Sequence, residues 1–508
     1  MKQEAPQQRH SRTGIPAIHG GEHVNTAPYV RPQTPYCGFM RRFVNGREML
    51  YVPRTAAHCL ISAPTESGKS RRLLAPASTL WGGPVVQVSS KDDVMQNTME
   101  RRFGPKALID FRPIVSPVYP DGVEAMAYDP TTTIDTPLQA LTIAETIMQM
   151  ATVGMGSGAD QVSDGGVWES QAAGPLAAFL YAASPQGNHR GMEWVLKAVD
   201  NLDTSAEGAS QPGWLQAAAI CSRYEVLAIG MTRILGMEPR QRDSVAITMR
   251  KAITPWLRTA LMAAGTTDLT RVFDPSFLDQ PNATLFVLAP ADGTVAGAAV
   301  TLIDSLVRRW REKTSQREQM HRLLLAIDEL PNTAPLPSLR RIVGEGRGLG
   351  INLLAVVQAS CQNDTVYGPV YAQELREIFP ANIIMYGAHE ELLLNRTEDW
   401  SGLTFRRTES YGQADGHKGL NTDFGPSLKW QELLPPDAEH ARLLIRGGLG
   451  HCVEIPDWTR FKAYYDQACA ALLAAAAAKN RPGAPATTGR GDRAPSRMSR
   501  LRDFIVGK

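Results

Sequence analysis

Residues 56 to 70, AAHCLISAPTESGKS, constrain the fold more than any other stretch of the chain. Their apolar run, Ala56 to Ser62, predicts a buried strand that enters a turn of small residues ending in Gly68-Lys69-Ser70. This order is typical of a P-loop, in which backbone N–H groups surround a phosphate chain, a lysine reaches the outer phosphates and a hydroxyl binds Mg²⁺. The residues from Arg71 to Leu80 then predict a helix.

The same stretch supplies the predicted nucleotide contacts. We expect ATP to be bound by Ala63, Pro64, Thr65, Glu66, Ser67, Gly68, Lys69, Ser70 and Arg71. Lys69 is also the predicted catalytic cation, and the Ser70 hydroxyl is a predicted Mg²⁺ ligand. Ala63 departs from the pattern G-x-x-x-x-G-K-[ST], which begins with glycine. Because a methyl group is the smallest intrusion, we interpret the loop as a variant P-loop, and the effect of Ala63 stays open.

A second motif lies far downstream, where the apolar run Leu323 to Ile327 is followed by Asp328 and Glu329. The run predicts a buried strand whose end brings two adjacent carboxylates to the mouth of the P-loop. Asp328 is the predicted Mg²⁺ ligand, and Glu329 is the predicted general base that polarises the attacking water. Because the two motifs together are far more specific than either alone, they predict an ATP hydrolase.

Two polar residues near the next strand complete the predicted catalytic set. Gln358 ends the strand INLLAVVQ, and in a parallel sheet beside the Asp-Glu strand its amide would lie near the γ-phosphate. Arg347 lies in the stretch EGRGLG, which we interpret as a Gly-rich turn that presents an arginine finger to a neighbouring subunit. Alternatives stay open: Gln358 as a polar strand end, Arg340 or Arg341 as the finger, and Arg347 as a surface arginine.

Composition limits the partners and the compartment. A net charge of +2 with 20% charged residues leaves no global basic surface, so any contact with nucleic acid must be local. The six cysteines show no CxxC pair, which favours small apolar residues in a reducing cytoplasm over a zinc site. No signal peptide or transmembrane run is visible. We therefore expect a cytoplasmic protein that reaches the inner face of the membrane only through a partner.

Strands that alternate with helices predict an α/β P-loop NTPase (RecA-like) domain with a mainly parallel twisted sheet and an inserted all-α domain. A hairpin is predicted over 38–53, before the P-loop strand. The predicted units are a flexible N-terminal arm (1–36), the first part of the nucleotide-binding domain (37–135), the helical insert (136–264), the second part of the nucleotide-binding domain (265–478) and a disordered basic tail (479–508).

The order of these segments resembles that of the coupling proteins of type IV secretion and conjugation, the TraG/TraD-like group. The resemblance covers about residues 55 to 460 and is most specific between Leu323 and Thr404. It is carried by APTESGKS, VVQVSSKDD, ALIDFRP, LLLAIDELPNTAPLPSL, GEGRGLGINLLAVVQASCQ and YGPVYAQELREIFPANIIMYG. In that order the spacing of Asp328, Arg347 and Gln358 resembles the Walker B, arginine and glutamine motifs of the family.

This resemblance implies an ATPase with a RecA-like domain and an all-α insert that assembles into a homo-hexameric ring. Such rings receive a relaxase bound to single-stranded DNA, or a protein substrate, and pass it to the type IV secretion channel. Two features depart from the family pattern. No transmembrane helix of the kind that usually begins the family is visible, so docking to an inner-membrane channel either stays open or depends on a separate membrane anchor protein, and SSKDD stands where the family tends to have an Asp-Pro-Lys-Gly type sequence.

Three functions follow as hypotheses. The first is a coupling ATPase that drives transfer of single-stranded DNA with a relaxase, or of protein, to a secretion channel. The second is a cytoplasmic DNA translocase of the FtsK or HerA type, which would act on duplex DNA with the same nucleotide residues. The third is a nucleotide-binding recruitment platform without hydrolysis, although intact Lys69, Ser70, Asp328 and Glu329 argue against it. Conjugation, mobilisation and effector export are all left open, as are the pore-loop residues.

Overall fold

The computed structural model describes residues 18–19, 34–44, 47–114, 117–151, 164–263, 271–411, 418–446 and 450–479. The strands within these ranges are β1 (Ile18–His19), β2 (Met40–Val44), β3 (Arg47–Tyr51), β4 (His58–Ser62), β5 (Val85–Ser89), β6 (Lys106–Asp110), β7 (Glu124–Ala125), β8 (Thr284–Leu288), β9 (Leu323–Ile327), β10 (Ile351–Val357), β11 (Ala381–Met385), β12 (Leu403–Tyr411), β13 (Lys418–Pro426), β14 (His440–Ile445) and β15 (His451–Glu454). The helices are α1 (Ala75–Leu80), α2 (Asp93–Met99), α3 (Pro137–Met150), α4 (Asp164–Ala183), α5 (Gly191–Asp200), α6 (Ala206–Ser210), α7 (Trp214–Ile220), α8 (Glu225–Leu235), α9 (Pro239–Ala263), α10 (Ala296–Ser315), α11 (Leu330–Thr333), α12 (Leu339–Leu349), α13 (Gln362–Tyr367), α14 (Pro369–Ile378), α15 (Glu391–Trp400) and α16 (Trp458–Lys479).

The central sheet confirms the predicted fold class. Its ten strands run in the order β15-β14-β11-β4-β10-β9-β5-β8-β6-β7. The eight strands from β11 to β7 pair in parallel, while β14 and β15 pair antiparallel at one edge. Every residue of β4, β5, β8, β9 and β10 is buried, because helices cover both faces of the sheet.

The strand order brings the predicted motifs to one edge of the sheet. β10 lies between β4, which leads into the P-loop, and β9, which leads into the Asp-Glu pair. Parallel neighbours end at the same edge, and ligands of open α/β sheets bind outside those carboxyl ends. The loops that follow β4, β9 and β10 therefore lie side by side.

The helices α3 to α9 form the predicted helical block between β7 and β8. Trp194 and Trp214 are buried within it and pack around Phe179. The same apolar cluster continues into one face of the sheet through α10, so the block shares its core with that face. The hydrogen bond from Thr146 Oγ1 to Asp304 Oδ2, at 3.2 Å, joins α3 to α10. The bounds 136 and 264 stay predictions.

Two short parts of the predicted arm, 18–19 and 34–36, lie within the described residues, and both make contacts. Ile18–His19 pairs with β3, and Tyr36 is fully buried against Phe39 and Phe461. Aromatic burial outweighs the polar composition around Tyr36, and the flexible arm over 1–36 stays a prediction. The predicted hairpin is present as β2 and β3, although its tip lies outside the described residues.

The C-terminal tail begins with helical structure, since α16 extends to Lys479, and the rest of the predicted tail lies outside the described residues. Within the described ranges, no helix has both the length and the apolar character that a membrane span requires.

Candidate nucleotide site

The P-loop leaves β4 as part of the sheet. Ala63 is fully buried, and its N–H donates to Val357 O at 2.9 Å, so the position that departs from the motif extends the pairing of β4 with β10. The loop then turns back on itself, with Ser67 N–H donating to Pro64 O at 3.2 Å. Gly68 has φ +77°, and a Cβ there would lie 3.0 Å from Arg72 Nε, so this position requires glycine.

The helix after the loop begins in a wide turn. Ser70–Leu74 is π-helical and continues into α1, where Ala75 N–H donates to Ser70 O. Pro76 has no N–H to donate to the preceding turn, which favours this local widening. Arg71 donates to both oxygens of Asp457, at 3.1 and 2.9 Å, and so ties the helix to the segment before α16, while its contact with nucleotide stays a prediction.

Lys69 and the two predicted carboxylates meet at the carboxyl edge of the sheet. Lys69 Nζ lies 3.2 Å from Asp328 Oδ1 and 3.0 Å from Glu329 Oε1. The three side chains are between 7% and 17% exposed, so their charges interact with little solvent screening. The structure thus brings Lys69 and Glu329 together, although 260 positions separate them in the sequence.

Burial and charge shift the three groups differently. Burial disfavours the charged form of Lys69, but the charges of Asp328 and Glu329 outweigh it and raise the pKa of the ammonium. Burial also raises the pKa of Asp328 despite the nearby lysine. Burial acts in the same direction on Glu329, yet hydrogen bonds and charge from Lys69, with help from Gln358, lower its pKa. Asp328 lies deeper than Glu329, which explains why their shifts have opposite signs.

Glu329 is held in an unusual backbone conformation. It has φ 51° and ψ 51°, the left-handed region, and it precedes the short helix α11. Thr333 Oγ1 donates to the Asp328 carbonyl O at 2.7 Å and so supports this sharp turn. A left-handed non-glycine residue costs about 1–2 kcal/mol, and such strain is concentrated at functional sites. The turn directs the Glu329 carboxylate towards Lys69.

Gln358 lies where the sequence predicts it, at the end of β10 beside β9. Its Nε2 donates to Glu329 Oε1 at 3.1 Å, and its backbone N–H donates to Gln362 Oε1 at 2.9 Å. Ser89, at the end of β5, donates through Oγ to Asp328 Oδ2 at 3.4 Å. Sequence reasoning missed Ser89 and Gln362, although the position of Ser89 at the end of a buried strand next to β9 is a usable signal.

Arg347 lies away from this cluster, and the prediction that it lies in a Gly-rich turn is wrong. It occupies the last turn of α12 rather than a Gly-rich turn, because the helix continues to Leu349 and ends at Gly350, which has φ +80°. Arg347 is exposed and forms no ion pair with any residue that the structure describes. Its competitors are engaged: Arg340 Nη1 lies 3.0 Å from Glu374, and Arg341 lies 3.8 Å from Glu345.

The donor set at the carboxyl edge suits a magnesium ion. Carboxylate and hydroxyl oxygens are the ligands that Mg²⁺ prefers. Asp328 Oδ1 is buried and accepts no hydrogen bond within the described residues, although Lys69 Nζ is near. Ser70 follows Lys69 directly and is buried at the start of the wide helical turn. Asp328 and Ser70 are therefore the residues of this chain that fit the ion.

The parallel sheet and the cluster of lysine and carboxylates at its carboxyl edge define a nucleotide-binding protein of the P-loop class with a RecA-like α/β fold. The family described as type IV secretory system conjugative DNA transfer matches residues 22–392. The chain therefore belongs to this family of coupling proteins.

Two solved structures with TM-scores above 0.5 agree on the fold. The unbound monoclinic form of the bacterial conjugative coupling protein TrwBdeltaN70 is 18% identical with a TM-score of 0.53, covering 88% of this chain and 96% of that chain. Its trigonal form in complex with sulphate is 17% identical with a TM-score of 0.51, covering 86% and 96%. The plasmid coupling protein TrwB in complex with ADP and Mg²⁺ is 18% identical with a TM-score of 0.49, covering 87% and 96%. No curated protein matches the chain.

Proposed function

We propose that this chain binds ATP with Mg²⁺ and hydrolyses it to drive transfer of a substrate to a type IV secretion channel. The observation that carries the proposal is the cluster of Lys69, Asp328, Glu329 and Gln358 at the carboxyl edge of the sheet. Membership of the conjugative DNA transfer family supports the biological setting.

Lys69 links nucleotide binding to the strength of the base. A triphosphate offers Lys69 more negative charge than either carboxylate, so we expect the ammonium to move to the outer phosphates. Glu329 then loses the cation that lowers its pKa and becomes a stronger base towards the attacking water. The Gln358 amide, which donates to Glu329 Oε1 in the structure, would then be the group that orients the base. Bound Mg²⁺ would neutralise charge on the phosphates, with Asp328 and Ser70 as its ligands from this chain.

The proposal extends to an assembly. We infer a homo-hexameric ring in which Arg347 of one subunit faces the nucleotide of the next, since the exposed Arg347 has no ion pair among the described residues. The substrate is single-stranded DNA with a relaxase, or a secreted protein. The ring works at the inner face of the membrane with components of the secretion system.

Steady-state ATP hydrolysis by the purified chain, with and without single-stranded or duplex DNA, tests the proposal. Lys69→Ala, Glu329→Gln and Arg347→Ala should each lower kcat by at least about 100-fold. Arg340→Ala is the matched control, because that arginine of the same helix pairs with Glu374 on the surface and should leave kcat within about twofold.

The DNA used in the assay separates the competing functions. Stimulation by single-stranded DNA supports the coupling ATPase, whereas stimulation by duplex DNA alone would favour a translocase of the FtsK or HerA type. If the wild type binds ATP but turns it over no faster than Glu329→Gln, the proposal fails and the chain is a recruitment platform.

A further inference from the structure

A buried carboxylate holds the loop that follows Gln358. Glu390 and Ser360 are each only 5% exposed. Ser360 N–H donates to Glu390 Oε1 and Ser360 Oγ donates to Glu390 Oε2, both at 2.7 Å. One carboxylate therefore accepts the backbone and the side-chain hydrogen of a single residue, and it does so from the segment between β11 and α15.

Arg376, on α14, holds the same serine from another side. Its Nε donates to Ser360 Oγ at 3.1 Å and its Nη2 donates to Ser360 O at 3.0 Å. The guanidinium also pairs with Asp364 on α13. All three polar groups of Ser360, its N–H, its hydroxyl and its carbonyl, are thus bonded to charged side chains.

Burying the Glu390 carboxylate costs free energy of solvation. A carboxylate taken out of water loses solvation, which only well-aligned donors compensate, and hydrogen bonds to an ionised group are stronger than neutral ones. A neutral side chain would satisfy Ser360 with less desolvation. The desolvation of Glu390 has a reason if the candidate nucleotide site requires the loop after Gln358 in one position.

The loop that contains Ser360 is directly connected to Gln358. Ser360 follows Gln358 by two residues, and Gln362, at the start of α13, accepts the backbone N–H of Gln358 at 2.9 Å. The Gln358 amide in turn donates to Glu329 Oε1, the carboxylate assigned above to the attacking water. A shift of the loop therefore moves the Gln358 amide relative to that base.

We propose that Glu390 is a positioning residue for ATP hydrolysis, which acts through Ser360 to hold the Gln358 amide against Glu329. The role rests on the proposed function, because Glu390 itself touches neither the base nor the lysine among the described contacts. Glu390 also immediately precedes α15, so this helix is joined to the site through the same carboxylate.

Amide hydrogen exchange tests whether Glu390 holds the loop. Glu390→Gln keeps one acceptor oxygen but turns an N–H donor towards the donors of Ser360, so exchange of the Ser360 amide should accelerate about tenfold or more. Glu391→Gln is the matched control, because Glu391 is exposed and its side chain accepts a hydrogen bond only from Asn395 within the part of the chain that the structure describes. Equal protection of Ser360 in both variants would overturn the proposal.

A double-mutant cycle tests the link to Gln358. Glu390→Gln should lower kcat about 10- to 100-fold with KM for ATP nearly unchanged, because misplacement of a catalytic group slows the chemical step. In a Gln358→Ala background the same change should cost less than about twofold. Full additivity of the two losses would overturn the proposal, since Glu390 would then not act through Gln358.

Two further outcomes keep the conclusions separate. If Glu390→Gln does not fold, Ser360→Ala replaces it, because that change deletes only the hydroxyl bonds to Glu390 and Arg376. A wild type without turnover would overturn both the proposed function and the role of Glu390. A fully active wild type with additive losses would overturn the role of Glu390 alone.

Discussion

At the scale of single residues, His58 stands out because it is buried without hydrogen bonds. It lies in β4, is 2% exposed, and neither ring nitrogen has a partner among the described residues. Burial, and then the charge of Arg322, lowers the pKa of His58 to about 4. The ring is therefore neutral in the folded protein at pH 7, and protonation favours the unfolded chain.

We expect His58→Leu to remove part of the acid sensitivity of folding. The folded pKa lies below the unfolded value of about 6.5, so this histidine costs no stability above that pH and up to about 3 kcal/mol as the pH falls towards 4. Urea unfolding at pH 7.5 and 5 should show that the wild type loses about 2 kcal/mol more than the variant. An equal loss of the free energy of unfolding in the wild type and in His58→Leu would contradict this expectation. His389→Leu, at an exposed position, is the control.

Ala63 invites a second test at this scale. Since its N–H bonds to Val357 O and its side chain is buried, the methyl group packs in the core. Ala63→Gly should lower the free energy of unfolding by about 1–2 kcal/mol and leave the Kd for ATP within about threefold. Calorimetry of nucleotide binding checks the expected Kd for ATP. A gain in affinity above tenfold would mean that the methyl group obstructs the phosphates.

At the scale of elements, Arg102 joins the end of one helix to a strand. It follows α2, is 4% exposed, and donates to Trp81 O at 2.6 Å and to Gly83 O at 2.7 Å. It also donates to Ser78 O in α1 and to Thr284 Oγ1 in β8. Carbonyl groups at the end of a helix have no partner within the helix, so Arg102 satisfies groups that burial would otherwise leave unpaired.

Arg102→Leu should therefore destabilise the fold by about 3–5 kcal/mol, because it leaves several buried carbonyl groups without donors. Denaturant unfolding measures the change. Its neighbour Arg101 pairs with Asp466 at the surface, so Arg101→Leu should cost less than about 1 kcal/mol. Similar losses in the two variants would show that Arg102 does not join these elements.

At the scale of the whole molecule, β10 separates Arg347 from the site of its own chain. Arg347 precedes this strand and Gln358 follows it, and a strand of seven residues spans about 23 Å. Arg347 therefore lies at the opposite edge of the sheet from Lys69. A catalytic role for Arg347 requires a second subunit, which makes the proposed ring testable by mixing subunits.

Mixed assemblies of Glu329→Gln and Arg347→Ala subunits should regain hydrolysis that neither variant shows alone. An Arg347→Ala subunit keeps an intact base, and a Glu329→Gln neighbour supplies the missing arginine. At equal mixing, turnover should reach about a quarter of the wild-type rate, because half of the sites keep the base and half of their neighbours supply Arg347. Mixtures that stay as inactive as their components would contradict a role in trans. Arg340→Ala mixed with Glu329→Gln is the matched mixture, and it should reach about half of the wild-type rate, because half of its sites keep the base and every neighbour supplies Arg347.

Much of the site can be predicted from sequence because its pieces are local. Gly68, Lys69 and Ser70 are adjacent in the chain, Asp328 and Glu329 directly follow a strand, and the strands that lead into the two motifs, β4 and β9, are continuous buried runs. Gln358 is predictable once β9 and β10 are read as parallel neighbours. Arg347 shows the limit: three glycines near it suggest a turn, but packing of Ile342 and Val343 against the core keeps the segment helical.

By itself, the sequence determined the class of protein, the order of its elements and the residues that end its strands, because covalent neighbours and hydrophobic periodicity encode them. Only the tertiary structure decided that Lys69 pairs with both carboxylates, that Ser89 supports Asp328, and that Glu390 holds the loop after Gln358. These contacts join residues far apart in the chain. Their partners follow from the order of strands in the sheet and from the need to satisfy each buried polar group, which no local pattern records.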